Sequence, residues 1–316
     1  MRRYAILFAV VSLLLPAQVY AQRQTPEAAL NLFKNALKKT GNGDLDGAIE
    51  DYTRAITLSS GFDTRKNAGS RSGSSFSDSS TERITVVDPF TANAYTNRGL
   101  ARYKKGDFTG AIDDFDKALS IRPGLANAYL NRAAARRANG DMPGAINDLN
   151  RALEIKKDFH EAYNNRGSVR LDMGEIEGAL SDLNRAVELN SHSPESFYQR
   201  GYVYLAKKDF DKSVNDFSRA IQLAPEMAWA FHGRGTALMN KGQMLEAIDD
   251  FTRAIELNPN LALAYFNRGV TLVYLGEEEE AQKDFDNCLR LKPELKEQLL
   301  PRIVLARQLR RIGGIK

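Results

Sequence analysis

Arginine and aspartate recur in this chain at a spacing that could make either an anion-binding row or a set of ion pairs. Arg98, Arg132, Arg166, Arg200, Arg234 and Arg268 stand 34 residues apart, and Asp114, Asp148, Asp182, Asp216, Asp250 and Asp284 repeat in the same way. A row of guanidiniums would grip phosphates or carboxylates; matched aspartates would instead occupy those guanidiniums inside the fold. Every Arg has an Asp to match, which points to a latch between repeats. A more divergent earlier stretch carries Asp51 but has Asn35 where the Arg would fall. The expected pairing therefore runs back by one repeat: Asp51 with Arg98, Asp114 with Arg132, and so on to Asp250 with Arg268. Asp284 is then left for Arg302, beside Pro301, which can start or kink a terminal helix.

Other reactive groups do not converge. His160, His192 and His232 fall on three different repeat positions, without metal-ligand spacing. Cys288, the single cysteine, takes a position that holds Ala in the other copies and reads as a small buried residue. Gly69-Ser70-Arg71-Ser72-Gly73 follows no strand and opens no helix, so it is not a phosphate loop. The expectation is no catalytic residue, no cofactor and no metal.

The elements that carry these residues follow from the period. With Ala92 as the first position, apolar residues recur at helical spacing in two blocks broken by Lys105-Gly106-Asp107. Gly106 can close one helix in the left-handed conformation and Asp107 can cap the next. Lys208-Asp209 lacks that glycine, so a less regular turn is expected there. Gly99, Ala133, Gly167, Gly201, Gly235 and Gly269 occupy the eighth position, where the two helices approach closely. Ala or Ser fills the twentieth, Phe or Leu the twenty-fourth, and Ala or Cys the twenty-seventh. Pro123, Pro225, Pro259 and Pro293 are read as stops for the second helix.

These positions, with an aromatic at the fourth, resemble the tetratricopeptide repeat family, with one systematic departure: Arg replaces the expected Leu at the seventh. The resemblance implies an all-α, right-handed α-solenoid of about seven helix pairs with a C-terminal capping helix near Leu295–Ile312. The segments are residues 1–21, a divergent first copy over 22–58, a Ser/Gly-rich insertion over 59–91, six copies over 92–293, and a basic capping helix and tail over 294–316. The insertion reads as an inert linker, or as a tail that folds on a partner or into the array's own groove through Phe76, Ile84 and Val86.

Residues 1–21 read as a secretory signal: Arg2-Arg3, the apolar run Ala5 to Leu15, and Val19-Tyr20-Ala21 before Gln22. An uncleaved anchor is the alternative. The expected place is the periplasm or cell envelope. Arg2, Arg3 and the six Lys or Arg of residues 294–316 exceed the whole net charge of +4, so the array itself nets −2 and nucleic acid is not expected as a partner.

The resemblance also implies a concave groove lined by the second, fifth, ninth and twelfth positions of each first helix. On the last three copies this places Tyr198, Tyr202, Leu205, Trp229, His232, Met239, Phe266 and Val270 in the groove. Aromatic and Met residues on an exposed concavity suit a protein or peptide ligand; the same residues could equally pack between helices. The family's clamp for a peptide carboxylate uses Lys and Asn. Asn97, Asn131 and Asn165 hold one matching position, but the lysines are missing. The expected function is a non-catalytic interaction scaffold. The alternatives are an envelope-membrane assembly factor, touching anionic lipid through the basic C-terminus, and an accessory subunit of an envelope enzyme. Oligomeric state is left open.

Overall fold

The computed structural model describes residues 26–62 and 89–312. The signal-like segment, the middle of the insertion and residues 313–316 lie outside the described residues. What is described is helical, in two compact units that meet at Val169 and Arg170. The first unit holds α1 (Glu27–Gly41), α2 (Leu45–Phe62), α3 (Pro89–Lys105), α4 (Phe108–Ile121), α5 (Ala126–Ala138), α6 (Met142–Ile155) and most of α7 (His160–Asp172). The second holds α8 (Ile176–Leu189), α9 (Pro194–Ala206), α10 (Phe210–Leu223), α11 (Ala228–Lys241), α12 (Met244–Leu257), α13 (Ala262–Leu275), α14 (Glu278–Leu291) and α15 (Lys296–Ile312).

Within a pair the helices run antiparallel and close together. At Gly99 on α3 a Cβ would stand 2.9 Å from the Phe115 ring and 3.2 Å from the Ala111 carbonyl on α4. Gly235 meets Phe251 on α12 at 2.9 Å in the same way, and at Ala133 the opposing residue is the smaller Leu149. Glycine at the eighth position thus makes room for a phenylalanine sixteen residues on. Each turn uses one device: Gly43, Gly106, Gly140, Gly174, Gly242 and Gly276 all have positive φ. The turn expected to be irregular is not. Lys208 takes φ 60° at the same position, and Asp209 N–H still donates to the Tyr204 carbonyl at 2.9 Å. Asp107, Asp141 and Asp209 cap the following helix through Gly110, Gly144 and Lys212 N–H; Glu175, Gln243 and Glu277 make no such bond.

Two further expectations change. The second helices stop at the same place with or without proline: α6, followed by Lys157, ends two residues before it, as α4 ends two residues before Pro123. The stop lies in the extended backbone of the capping residue, φ −134° at Arg122 and −129° at Lys156. Both ends of the expected insertion, 59–91, are also helical. Helix α2 runs on to Phe62, and Pro89 starts α3 instead of ending a helix. Phe90 is buried against Phe33, ring centroids 5.3 Å apart, and Ser59 Oγ lies 2.7 Å from Thr91 Oγ1. The two ends of the insertion are therefore neighbours, and α2 stacks on α3 as if the repeat were uninterrupted.

Candidate functional site

The Arg–Asp series forms ion pairs, but within a repeat and not back to the preceding one. Arg98 Nε and Nη2 donate to the two carboxylate oxygens of Asp114 at 2.9 and 2.7 Å. Arg200 holds Asp216 in the same two-pronged way at 2.7 and 2.8 Å, Arg234 holds Asp250 at 2.8 and 2.7 Å, and Arg268 holds Asp284 at 2.8 and 2.7 Å. Arg132 pairs with Asp148 alike. The expected pairs Asp51 with Arg98 and Asp284 with Arg302 are thereby corrected: Arg98 is engaged by Asp114, and Asp284 by Arg268. The reason is packing. The small eighth and twentieth positions bring the helices of one pair closest, so the seventh-position Arg meets the Asp across its own hairpin.

The latch between repeats exists through a different residue. The remaining nitrogen, Nη1, reaches the twenty-fifth position of the preceding copy: Arg98 to Thr53 at 2.8 Å, Arg166 to Asn150 at 2.6 Å, Arg200 to Asn184 at 3.0 Å, Arg268 to Thr252 at 3.0 Å, and Arg132 to Asp116. Each guanidinium also lies over the aromatic ring three residues before it, 5.4 Å from the Tyr95 centroid for Arg98 and 5.5 Å from Phe197 for Arg200. Hydrogen bonding to Asp216 raises the pKa of Arg200 against the opposing effect of burial, and Asp250 does the same for Arg234. Asp51, with Asn35 in the Arg position, is met instead by Lys39 at 2.7 Å. Arg102 and Arg136 add a second guanidinium to Asp114 and Asp148, and Arg170 pairs with Asp182. With their nitrogens taken inside the fold, these arginines are structural clamps.

The groove residues expected on the last copies divide into two sets. Tyr198, Tyr202, His232 and Phe266 are buried, which corrects their placement on an exposed concavity. Tyr202 stands edge-on to Tyr198 at 5.0 Å and to Phe217 at 5.1 Å, and Phe266 joins the core under α15. His232 has its Nδ1 3.5 Å from Tyr202 Oη and its Nε2 3.0 Å from Asn267 Nδ2. Burial pushes its pKa down to about 4, with a backbone hydrogen bond at Leu263 opposing. Leu205, Trp229, Met239 and Val270 are half-buried, each against the edge of a core cluster.

In the first unit the first helices carry a polar feature that the apolar pattern did not single out. Asn131, 2% exposed, has neither Nδ2 nor Oδ1 hydrogen-bonded, and Asn165 Nδ2, Asn164 Oδ1 and Ser168 Oγ are also buried without a partner. Asn164 and Ser168 hold the fifth and ninth positions of their copy, which the resemblance assigns to the groove. The sequence signal was present as the Asn at the sixth position of three successive copies. Among the described residues no three His, Cys, Asp or Glu side chains are grouped to hold a metal ion, and no helix is long and apolar enough to cross a membrane.

A repeated antiparallel helix pair with small residues at its crossing defines a class of helical-repeat proteins. Tetratricopeptide repeat models match residues 92–125, 194–227, 228–261 and 251–283, and a TPR repeat model matches 133–174 and 167–208, together more than half of the chain. The chain belongs to the tetratricopeptide repeat family. Among solved structures it is similar to a tetratricopeptide repeat protein from Parabacteroides merdae, with 20% identity and a TM-score of 0.64 over 88% of this chain and 100% of that one. The Pseudomonas aeruginosa pilF structure shares 20% identity and a TM-score of 0.58 over 71% and 97%. The APC/C hetero-tetramer Cut9–Hcn1 shares 20% identity and a TM-score of 0.63 over 67% of this chain; the match spans only 42% of that one. These likenesses show the fold. No curated protein matches the sequence.

Proposed function

We infer that this chain is a non-catalytic scaffold of the cell envelope that holds a peptide or protein segment along its first helices. The observation that carries the reading is the set of buried amide and hydroxyl atoms on α5 and α7 that have no partner in the protein. A buried polar group left unpaired costs about 1–3 kcal/mol. These atoms are enclosed between packed helices, so a bound segment meets them only when the side chains turn outward; an extended main chain, with alternating N–H and C=O groups, then supplies both the acceptor and the donor that Asn131 lacks. In the second unit Leu205, Trp229, Met239 and Val270 are half-buried apolar side chains, a candidate contact set of that unit's own. Export rests on the sequence of residues 1–21, and N-terminal sequencing of the purified protein should read from Gln22. The array's net negative charge favours protein over nucleic acid as the ligand.

Capture from envelope extract tests the groove. Wild type is compared with Asn131→Leu, Asn165→Leu and with Trp229→Ala, each checked for native helicity. Removing the two amides should abolish capture while leaving the fold intact. Unchanged capture by both the double asparagine variant and Trp229→Ala would refute the reading.

A further inference from the structure

The terminal helix has two apolar faces, and only one of them is used. Leu299, Ile303 and Ala306 pack α15 onto the core that contains Ala262, Phe266 and Phe285. At 100° per residue, Val304, Leu305 and Ile312 fall on the opposite side, with Leu300 and Leu309 on its two flanks. All five are exposed, Leu300 at 61% and Ile312 at 82%, and they are more than half of the exposed large hydrophobic residues in the described chain. A helix that closes a repeat array is expected to show a polar outer face. Here a ridge of branched apolar side chains takes its place.

The charges around the ridge are sorted. Arg307 grips Glu278 on α14 at 2.6 and 3.1 Å, and Arg310 lies across Gly276, close enough for both arginines to lower the pKa of Glu278. These two are committed inward, against the acidic first turn of α14. Arg302 is exposed at one margin of the apolar arc, beside Leu309, and Arg311 is exposed within it, between Leu300 and Val304; Glu297, the one carboxylate of α15, and Gln308 lie on the same outer side.

We propose that the outer face of α15 docks on an anionic bilayer surface, its five apolar side chains in the acyl boundary and Arg302 and Arg311 on headgroup phosphates. Exposed apolar side chains set among cations are what such a surface takes up. A second copy fits less well, because it would set a ridge against a ridge and bring the exposed arginines of both copies together. The proposal does not use the groove residues, since every side chain it places on the bilayer belongs to the exposed face of α15.

A probe on the helix itself separates this contact from any made by residues 1–25. Cys288 is buried and its thiol pKa is pushed up to about 11, so an added surface cysteine is the one that reacts. An environment-sensitive dye is placed on the full-length Leu309→Cys variant, and on Lys117→Cys as a distant control. Vesicles of phosphatidylcholine with 30% phosphatidylglycerol, a working composition of roughly physiological anionic content, should shift the dye at 309 to a dehydrated emission and leave that at 117 unchanged. Neutral vesicles or high salt should remove the shift, and adding Arg302→Gln with Arg311→Gln should weaken vesicle affinity about thirtyfold. A dye at 309 that stays in water with both vesicles overturns the proposal, as does an equal response to neutral ones. A dye already dehydrated in protein alone, more so at higher concentration, would overturn it in favour of a second copy.

Discussion

At the scale of the residue, the seventh-position arginine does three jobs with one flat group. It crosses its own hairpin to Asp, reaches back to the preceding copy through Nη1, and lies on the aromatic ring one turn earlier. Loss of Asp216 would leave Arg200 partly buried with its strongest partner gone, a change worth about 2–4 kcal/mol once partial exposure is allowed for. A double-mutant cycle on Arg200→Ala and Asp216→Ala should show strong coupling in urea unfolding, whereas Asp114→Ala with Arg132→Ala should be additive. The reverse pattern would restore the pairing between repeats. His232 makes a second residue-scale prediction. The folded ring stays neutral down to about pH 4, while the unfolded chain takes up its proton near the ordinary 6.5. Stability therefore falls as pH drops from 6.5 towards 4, by about 2 kcal/mol between pH 7 and 5. Unfolding of His232→Gln at the two pH values should lack that component; an equal loss in both proteins would assign the pH dependence elsewhere.

At the scale of the element, the turn is the most uniform part of the repeat, and Lys208 is its exception. A lysine in the left-handed region is strained where six glycines are not. Lys208→Gly should raise stability by about 0.5–1 kcal/mol, and Gly242→Lys in the equivalent turn should lower it by a similar amount. A neutral Lys208→Gly would mean the strain is relieved locally. This turn also shows what sequence could and could not supply. The 34-residue period, the hairpin turns and the capping helix were legible because each leaves a residue type at a fixed offset. The partner of Arg98 was not, since an offset of 16 and an offset of 18 both repeat with the period. Only the close approach at Gly99 selects Asp114. The burial of Tyr198 and Tyr202 was hidden for a related reason: a helix position names a face, and the depth of that face depends on Phe217 beneath it. Asn131 was visible as a residue, yet its lack of partners is a property of packing.

At the scale of the molecule, each unit consists of the same hairpin used repeatedly, so chemistry that appears once stands out against it. The clamps recur and are structural. The unpartnered amides of α5 and α7 lie in one unit, with a counterpart in Gln199 Oε1 on α9 of the other, which also carries the exposed apolar side chains of α15. Neither feature helps the fold: one leaves polar atoms unpaired and the other leaves apolar surface in water. That combination is expected of surfaces kept for contact. The most direct test of the scaffold reading is hydrogen–deuterium exchange on the chain with and without the segment it captures from envelope extract. Slowed exchange concentrated in α5 and α7 is predicted, because these first helices carry the amides that the bound main chain engages. Slowing confined to the second helices α4 and α6, or none in any of these helices, would contradict it.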